Sequence, residues 1–584
     1  MFKFRTVSLI IATLAGVLTL AACDRSKEEE ASVSALASTQ SMLRYVPADS
    51  LYVIANVEPL PDALLDKLEP KLDQVLSSYR VLLQHVVVMA AAEAGEDAAD
   101  SPEVSQLTAI ADELSALMSL DGLRSAGFSR DSTAVMYGNG LLPVIRISVT
   151  DGGLFDAALS RIEETAGEKM SVATIGESAF RYLQAGTLKV IVANFDTEVV
   201  LAAAPASFGD EQLSQLLGLT LPDSSIAETG ALQKIANEYG YTDHYVGFVD
   251  FQGIVNTVLG DEVSGLNADL VSLAGDESPE LSEVCKAEIL SLAGIAPRLV
   301  MGYTEITDQQ LLSGAVIELR DDIAAGLVPL TAAVPGLGEE YGGLMSFGMS
   351  LDIKAARSFY EARLDALDAE PFECELFQEI QAGVVAGRQA LNQPVPPMVY
   401  DFKGFLAVVE QIEGLDLASN MPPTSVAGRF LLAMDNATAL MSLGAMFSPE
   451  LAALSLEPDG KPARFESPQL QSTFDAVYLA MSDNAVAMSV GDGMDQQLPD
   501  MLAAEAENNG ILLSFSMDAS RYYAFIAEAM LVAKEDDENP MPPEFQGALN
   551  DIMLAFSDFY DRMSARIRLT GRGVEIDSKI TIKD

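Results

Sequence analysis

Three stretches of this 584-residue chain follow one script. In Met345-Ser346-Phe347-Gly348-Met349-Ser350-Leu351-Asp352, large apolar residues alternate with small or polar ones. Leu513–Asp518 does the same, and Phe430–Asp435 does so less cleanly. Successive side chains of a strand point to opposite faces, so a period of two describes a strand with one covered side. The pattern predicts that Met345, Phe347, Met349 and Leu351 meet a helical layer while Ser346, Gly348 and Ser350 face water. Each stretch ends in Asp, at equal steps of 435 − 352 = 83 and 518 − 435 = 83. Looser versions end at Asp151 and Asp250. An Asp before a helix accepts the free amide hydrogens of the first turn and meets the positive end of the helix dipole. All five are therefore read as helix caps, not as catalytic carboxylates. Eight positions on stand Leu159, Val258, Tyr360, Leu443 and Ile526, two turns along and expected on the sheet-facing side.

Hairpins fill the intervals. Asn139-Gly140 is a strong turn pair inside Ala134–Val149. Phe180–Ala203 breaks at Ala185-Gly186 and Asp196-Thr197. Leu299–Leu319, Ala476–Val490 and Ile567–Ile582 each carry one central turn. Longer helices are expected over Pro61–Glu93, Val104–Leu120, Ala355–Leu367, Leu376–Leu391 and Glu544–Ser564. The fold class that follows is α+β, with repeated strand-helix-hairpin units forming large antiparallel sheets covered on one face by helices. Composition shifts place lobes at 44–225, 226–415 and 416–584, after a leader at 1–22 and a tether at 23–43.

Composition narrows the function. Lys and Arg total 35 against 86 Asp and Glu, a net charge of −51, with 49% hydrophobic residues. This is globular composition, and its acidity argues against nucleic acid as a partner, since a phosphate backbone selects a basic face. Two His and three Cys leave little for a metal site of the His/Cys type. His85 and His244 are 159 positions apart, without ligand spacing. Gly336-Leu337-Gly338-Glu339-Glu340-Tyr341-Gly342 misses the dinucleotide fingerprint by one position and precedes a strand, which fails the context test. Ser346 lacks the flanking glycines of a nucleophile elbow. No catalytic residue, metal or cofactor is expected. Met434, Met441, Met446, Met481 and Met488 read first as core; the sharper reading is a flexible apolar groove.

The first 23 residues, MFKFRTVSLIIATLAGVLTLAAC, have a basic start, a short apolar run and small residues before Cys23. That is the pattern of a secretory signal peptide, too short to span a membrane. Leu20-Ala21-Ala22-Cys23 resembles the lipobox of bacterial lipoproteins. The resemblance implies a diacylglycerol on the Cys23 thiol, cleavage before it and acylation of the new amino group; two or more chains give stable anchoring. Asp24 resembles the signal that retains such proteins at the inner membrane, with the outer membrane as the alternative. Tyr45-Val46-Pro47-Ala48-Asp49, leading into Leu51–Ala55, is similar to the opening phrase of a group of bacterial envelope proteins without assigned chemistry. Cys285 and Cys374 remain as an even pair in an oxidising compartment and are expected to form a disulfide.

The expectation is a membrane-anchored envelope lipoprotein that binds or scaffolds a partner without catalysis. The partner would be a protein, a peptidoglycan-side assembly or a lipid. The alternatives are a lipid or lipoprotein carrier with an apolar groove, and a hydrolase whose site is dispersed in sequence.

Overall fold

The computed structural model describes residues 42–93, 112–260, 281–414, 424–454, 456–467, 476–532 and 543–584, without Val57, Leu114 and Glu168 but with Leu266, Asn267, Leu470 and Phe474. Cys23, Asp24, the leader and nearly all of the tether lie outside the described residues. So does most of the helix expected over Val104–Leu120.

The chain opens with β1 (Tyr52–Ala55), crosses through α1 (Asp62–Glu93) and α2 (Leu120–Ser125), and returns as β2 (Ala134–Asn139) and β3 (Leu142–Ser148). Helix α3 (Gly152–Ala166) leads into β4 (Ser171–Ile175), β5 (Ser178–Ala185), β6 (Leu188–Asn194) and β7 (Glu198–Pro205). Short helices α4 (Asp210–Leu217), α5 (Ile226–Thr229) and α6 (Ala231–Tyr239) precede β8 (Val246–Asp250). Then come α7 (Phe251–Leu259), α8 (Glu283–Ala293), β9 (Arg298–Ile306), β10 (Gln310–Glu318) and α9 (Asp321–Leu327). The same order begins again with β11 (Met345–Ser350), α10 (Ile353–Ala369), α11 (Gln378–Leu391), β12 (Phe402–Glu413) and β13 (Ser425–Met434). It continues through α12 (Ala437–Phe447), α13 (Pro449–Ala453), β14 (Ala463–Arg464), β15 (Val477–Met481), β16 (Ala485–Val490) and α14 (Leu498–Ala503). It ends with β17 (Ile511–Asp518), α15 (Ala519–Val532), α16 (Pro543–Phe559), β18 (Tyr560–Thr570) and β19 (Gly573–Ile582).

All the described strands form one open antiparallel sheet. The pairings run β4-β5-β6-β7-β3-β2-β1-β8-β9-β10-β19-β18-β17-β11-β12-β13-β16-β15-β14. The α+β class and the antiparallel repeats match the expectation, and the repeats fall into two halves. Read outward from the centre, β10-β9-β8-β1-β2-β3-β7-β6-β5 answers β19-β18-β17-β11-β12-β13-β16-β15-β14, strand for strand. The halves meet where their last strands pair antiparallel, Gly314 opposite Asp577. Such a junction defines a pseudo-two-fold axis normal to the sheet between β10 and β19. β4 is an addition to the first half. The sheet runs unbroken across the lobe boundary expected at 225/226.

Four of the five Asp caps are in place. Asp151, Asp250, Asp352 and Asp518 accept the backbone N–H of Gly153, Gly253, Ala355 and Arg521 at 2.7–2.9 Å. The fifth is corrected by one position: Asn436, not Asp435, accepts from Ala439. The rule for the residue eight positions on also fails in two helices, since Val258 and Tyr360 are exposed. The last long helix stops at Phe559 instead of Ser564, because Tyr560–Thr570 is needed as a central strand between β17 and β19.

Candidate apolar binding face

The two faces of the sheet are lined differently, and register decides which residue lies where. On the back face of the first half, Val53, Val135, Tyr137, Val246, Phe248, Val300 and Val316 form a core with Leu213, Leu216 and Leu217 of α4 and Leu232 and Ile235 of α6. On its front face, Ile147 and Val199 pack under Leu65, Leu72 and Leu76 of α1, Leu123 of α2 and Phe155 and Ala158 of α3. The first half is therefore packed on its back and, over β2, β3, β6 and β7, on its front.

The second half departs from this on the front. Its back is filled: Leu406, Val408, Leu431, Ala433, Ala480, Ala485 and Ala487 pack against Leu498, Met501 and Leu502 of α14 and against Val334. Toward the centre of the back face, the small residues Ser346, Ser350, Ser514 and Ser516 are buried. Ser350 donates its hydroxyl to the Ile511 carbonyl at 2.6 Å and accepts from the Ala332 N–H at 3.2 Å. The segment 331–344 lies against this surface so closely that a Cβ on Gly348 would sit 2.5 Å from Leu337 Cδ1. That contact overturns the expectation that Ser346, Gly348 and Ser350 face water. The small, polar side is buried because a chain segment needs to approach it, and the large apolar side is turned outward.

The outward side forms the candidate site. Cross-strand registers place Met345, Phe347 and Met349 of β11 beside Phe405, Ala407 and Val409 of β12, Phe430 and Leu432 of β13, and Leu513, Phe515 and Met517 of β17. Phe347 and Phe405 have ring centroids 5.7 Å apart, and Phe405 and Phe430 5.9 Å. No charged side chain interrupts this floor. Yet Phe347 is 43% exposed, Phe515 37% and Phe430 36%. Such exposure is large for adjacent aromatics in one patch, and contiguous exposed apolar surface marks an interaction site.

With the back face occupied, the connections through α10–α11 and α12–α13 have the front side left to them. They do not seal it. Leu364 is the one buried residue of α10, Ala437 of α12, and α13 has none. Met446 and Phe447, at the end of α12, are 78% and 81% exposed. The equivalent α3 of the first half buries Phe155 and Ala158 into the sheet. Of the Met group singled out in the sequence, Met434 and Met481 are core, Met488 joins the floor opposite Phe430, and Met446 is outside. The floor continues past β17 through Met563, Ala565 and Ile567 to Ile576, Ala315, Met301 and Tyr303. Tyr523 and Tyr245 aim their hydroxyls at the sulfurs of Met563 and Met301. Burial pushes both phenol pKa values up.

One mouth of this floor carries charge. Lys403, two residues before Phe405, holds Asp352 at 2.8 Å and Asp435 at 3.3 Å, and Lys354 lies 3.8 Å from Asp435. Burial works to lower the Lys403 pKa, but the hydrogen bonds it donates to the two carboxylates outweigh that and hold the ammonium above its ordinary value. Asp352 is opposed by burial too, and Lys403 with the Ala355 amide keeps it below the usual carboxylate range.

Cys285, in the first turn of α8, and Cys374, between α10 and α11, are bonded to each other and buried. The bond joins a helical connection of the first half to one of the second. Glu288 reinforces it by accepting the N–H groups of Glu373 and Cys374 at 2.7 and 3.1 Å. His244 contacts the Pro59 carbonyl through Nδ1 at 2.8 Å; the side chain of His85 lies outside the described part. Among the described residues no His/Cys/Asp/Glu group is arranged to hold a metal ion, and no helix is long and apolar enough to cross a membrane. Comparison with protein-family models, with curated proteins and with solved structures finds no match.

Proposed function

We propose that this protein is a lipid-anchored protein of the bacterial envelope, held by an acylated Cys23 and retained at the inner membrane through Asp24, that binds the acyl chains of a lipid on the open front face of its second half. The reading supplies no catalysis. It unites the carrier and binding expectations, and one observation carries it. Two halves of the same topology sit in one sheet; the first covers β3 and its neighbours on the front with Leu65, Leu72 and Phe155, and the second leaves Phe430 of β13, the strand that answers β3, partly bare, with Phe347 and Phe515 on the adjoining strands bare as well. An acyl chain laid on that floor gains about 0.8 kcal/mol for each methylene removed from water, so about ten buried methylenes match the roughly 8 kcal/mol of micromolar affinity, a number that one acyl chain supplies.

Native mass spectrometry of the whole chain carrying Cys23→Ser tests the binding half. Co-purified or added phospholipid should remain attached, and a protein that stays empty in the presence of lipid vesicles refutes it. Fractionation tests the anchoring half: Cys23→Ser should move the protein from membranes to the soluble envelope fraction, and continued membrane association rejects the lipidation.

A further inference from the structure

Among the described residues the first half shows no counterpart of the charged quartet at the mouth of the floor: no lysine stands next to the ends of β1, β2 or β3 that answer those of β11, β12 and β13. Asp352 and Lys403 are more than a simple helix cap and its counter-ion, because Lys403 also reaches Asp435, which does not cap the helix that follows it. The outer pair is accessible: the Lys354 side chain is 59% exposed and that of Asp435 47%. Two ammonium groups and two carboxylates thus alternate within salt-bridge distance, net neutral, and Asp352, Lys403 and Asp435 stand within two or three residues of Met349, Phe405 and Leu432 at the ends of β11, β12 and β13.

We propose that this quartet is the headgroup seat of a zwitterionic, two-chain phospholipid. The inference rests on the acyl-binding reading and names its substrate class. Charge complementarity selects the headgroup. The phosphate of such a lipid meets Lys354 and Lys403, and its ammonium meets Asp435 and Asp352. A purely anionic headgroup would pair with the lysines but face both carboxylates, on a chain whose net charge is already −51. A headgroup with no phosphate would leave the lysines unused. The chains then enter over the Phe405 row, which begins two residues from Lys403.

The test uses the whole chain carrying Cys23→Ser, incubated separately with vesicles of phosphatidylethanolamine and phosphatidylcholine, and with vesicles of phosphatidylglycerol. The protein is re-isolated and its bound lipid is quantified by mass spectrometry. The zwitterionic vesicles should load it more than about fivefold better, the factor one well-placed charge contact supplies. Asp435→Lys, which makes the quartet net positive, should shift the preference toward phosphatidylglycerol. Lys354→Gln, at an exposed position that folding tolerates, should lower zwitterionic loading several-fold with an unchanged circular dichroism spectrum. Equal loading from both vesicle types, or variants that leave the preference where it was, overturns the headgroup seat while the acyl-binding reading stands. No lipid from either vesicle type overturns both.

Discussion

Replacing Phe347 by Ala separates a binding face from a core. If Phe347 were core, the change would cost about 3–5 kcal/mol, as large-to-small substitutions of buried aromatics do. The ring is 43% exposed, leaving 100 − 43 = 57% of it covered. Full burial of a Phe side chain is worth about 1.5–3 kcal/mol, so the covered part accounts for roughly 1–2 kcal/mol. Thermal or urea unfolding of Phe347→Ala should show a loss in that lower range. Lipid loading should fall further: a ring that covers about two methylenes contributes about 1.6 kcal/mol to binding, close to 15-fold. Phe128→Ala is the internal control. Phe128 is buried, meets Phe155 edge-on with centroids 6.1 Å apart, and belongs to the sealed front of the first half. It should cost the full 3–5 kcal/mol and leave the lipid affinity of the folded fraction unchanged. The reasoning is refuted if Phe347→Ala destabilises as much as Phe128→Ala, or if it leaves lipid loading intact.

The remaining expectations concern what holds the scaffold. Cys285→Ser with Cys374→Ser opens a loop of 89 positions and should lower stability by about 4–5 kcal/mol in the chain-entropy estimate, read as a drop in the denaturation midpoint; an unchanged midpoint contradicts it. Arg146 is fully buried and donates to Glu198 at 3.1 Å, to the Tyr137 hydroxyl at 3.2 Å and to the Leu217 carbonyl at 2.5 Å. Arg146→Met strands that carboxylate and should cost about 3 kcal/mol, whereas a neutral result would mean that Glu198 escapes to water. The Lys403–Asp352 pair sets a pH window. Asp352 is lowered, so its contribution is complete above its unfolded pKa of about 3.9 and is lost as pH falls through the folded value; Lys403 is raised, so its contribution is complete below about 10.4 and is lost as pH rises through the folded value. The difference in stability between wild type and Asp352→Ala should therefore be flat from about pH 5 to 9 and shrink in acid; a difference that grows in acid reverses the assignment.

How much of this was legible depends on what each local pattern could encode. Helix starts were legible, because a cap is a contact between residues two or three apart, and four of five Asp sit where they were placed. Asp435 was misassigned because Asn436 beside it caps equally well, and the choice between them is made by Lys403, 32 positions earlier. β12 escaped notice because its two faces are both apolar: Leu406 and Val408 go to the back, Phe405, Ala407 and Val409 to the front, and the period-two signal vanishes. The beginning of β18 was absorbed into a helix because Asp561, Arg562 and Ser564 read as a polar helix end, with Arg566 and Arg568 beyond it. In the sheet these arginines are back-face groups, and Arg568 pairs with Asp577 at 2.6 Å and Glu575 at 2.8 Å. The open apolar face was visible as alternation, but its direction was not. Alternation says that two faces differ; which one is covered depends on the segment 331–344, whose contact with Gly348 no periodicity announces. The joining of the halves at β10–β19 pairs Gly314 with Asp577, a separation that local signals do not span.

The acidity and the open face belong to one physical problem. A bare patch built on Phe347, Phe405, Phe430 and Phe515 is a surface on which two copies can meet, and large exposed apolar patches drive association unless something opposes it. Here 86 acidic residues against 35 basic ones oppose it by like-charge repulsion, which acts over the Debye length. That length is about 10 Å at 0.1 M salt and about 3 Å at 1 M. Raising sodium chloride from the first value to the second should therefore let the lipid-free protein self-associate through the front face, seen by light scattering or sedimentation. Lipid-loaded protein should remain unassociated, because the occupant covers the floor. A Phe347→Ser, Phe430→Ser double variant should remain unassociated as well, because the floor is no longer apolar. If high salt instead leaves the lipid-free chain monomeric and raises its melting temperature, then the charge serves stability in a saline medium, and the open face is not the surface that the charge protects.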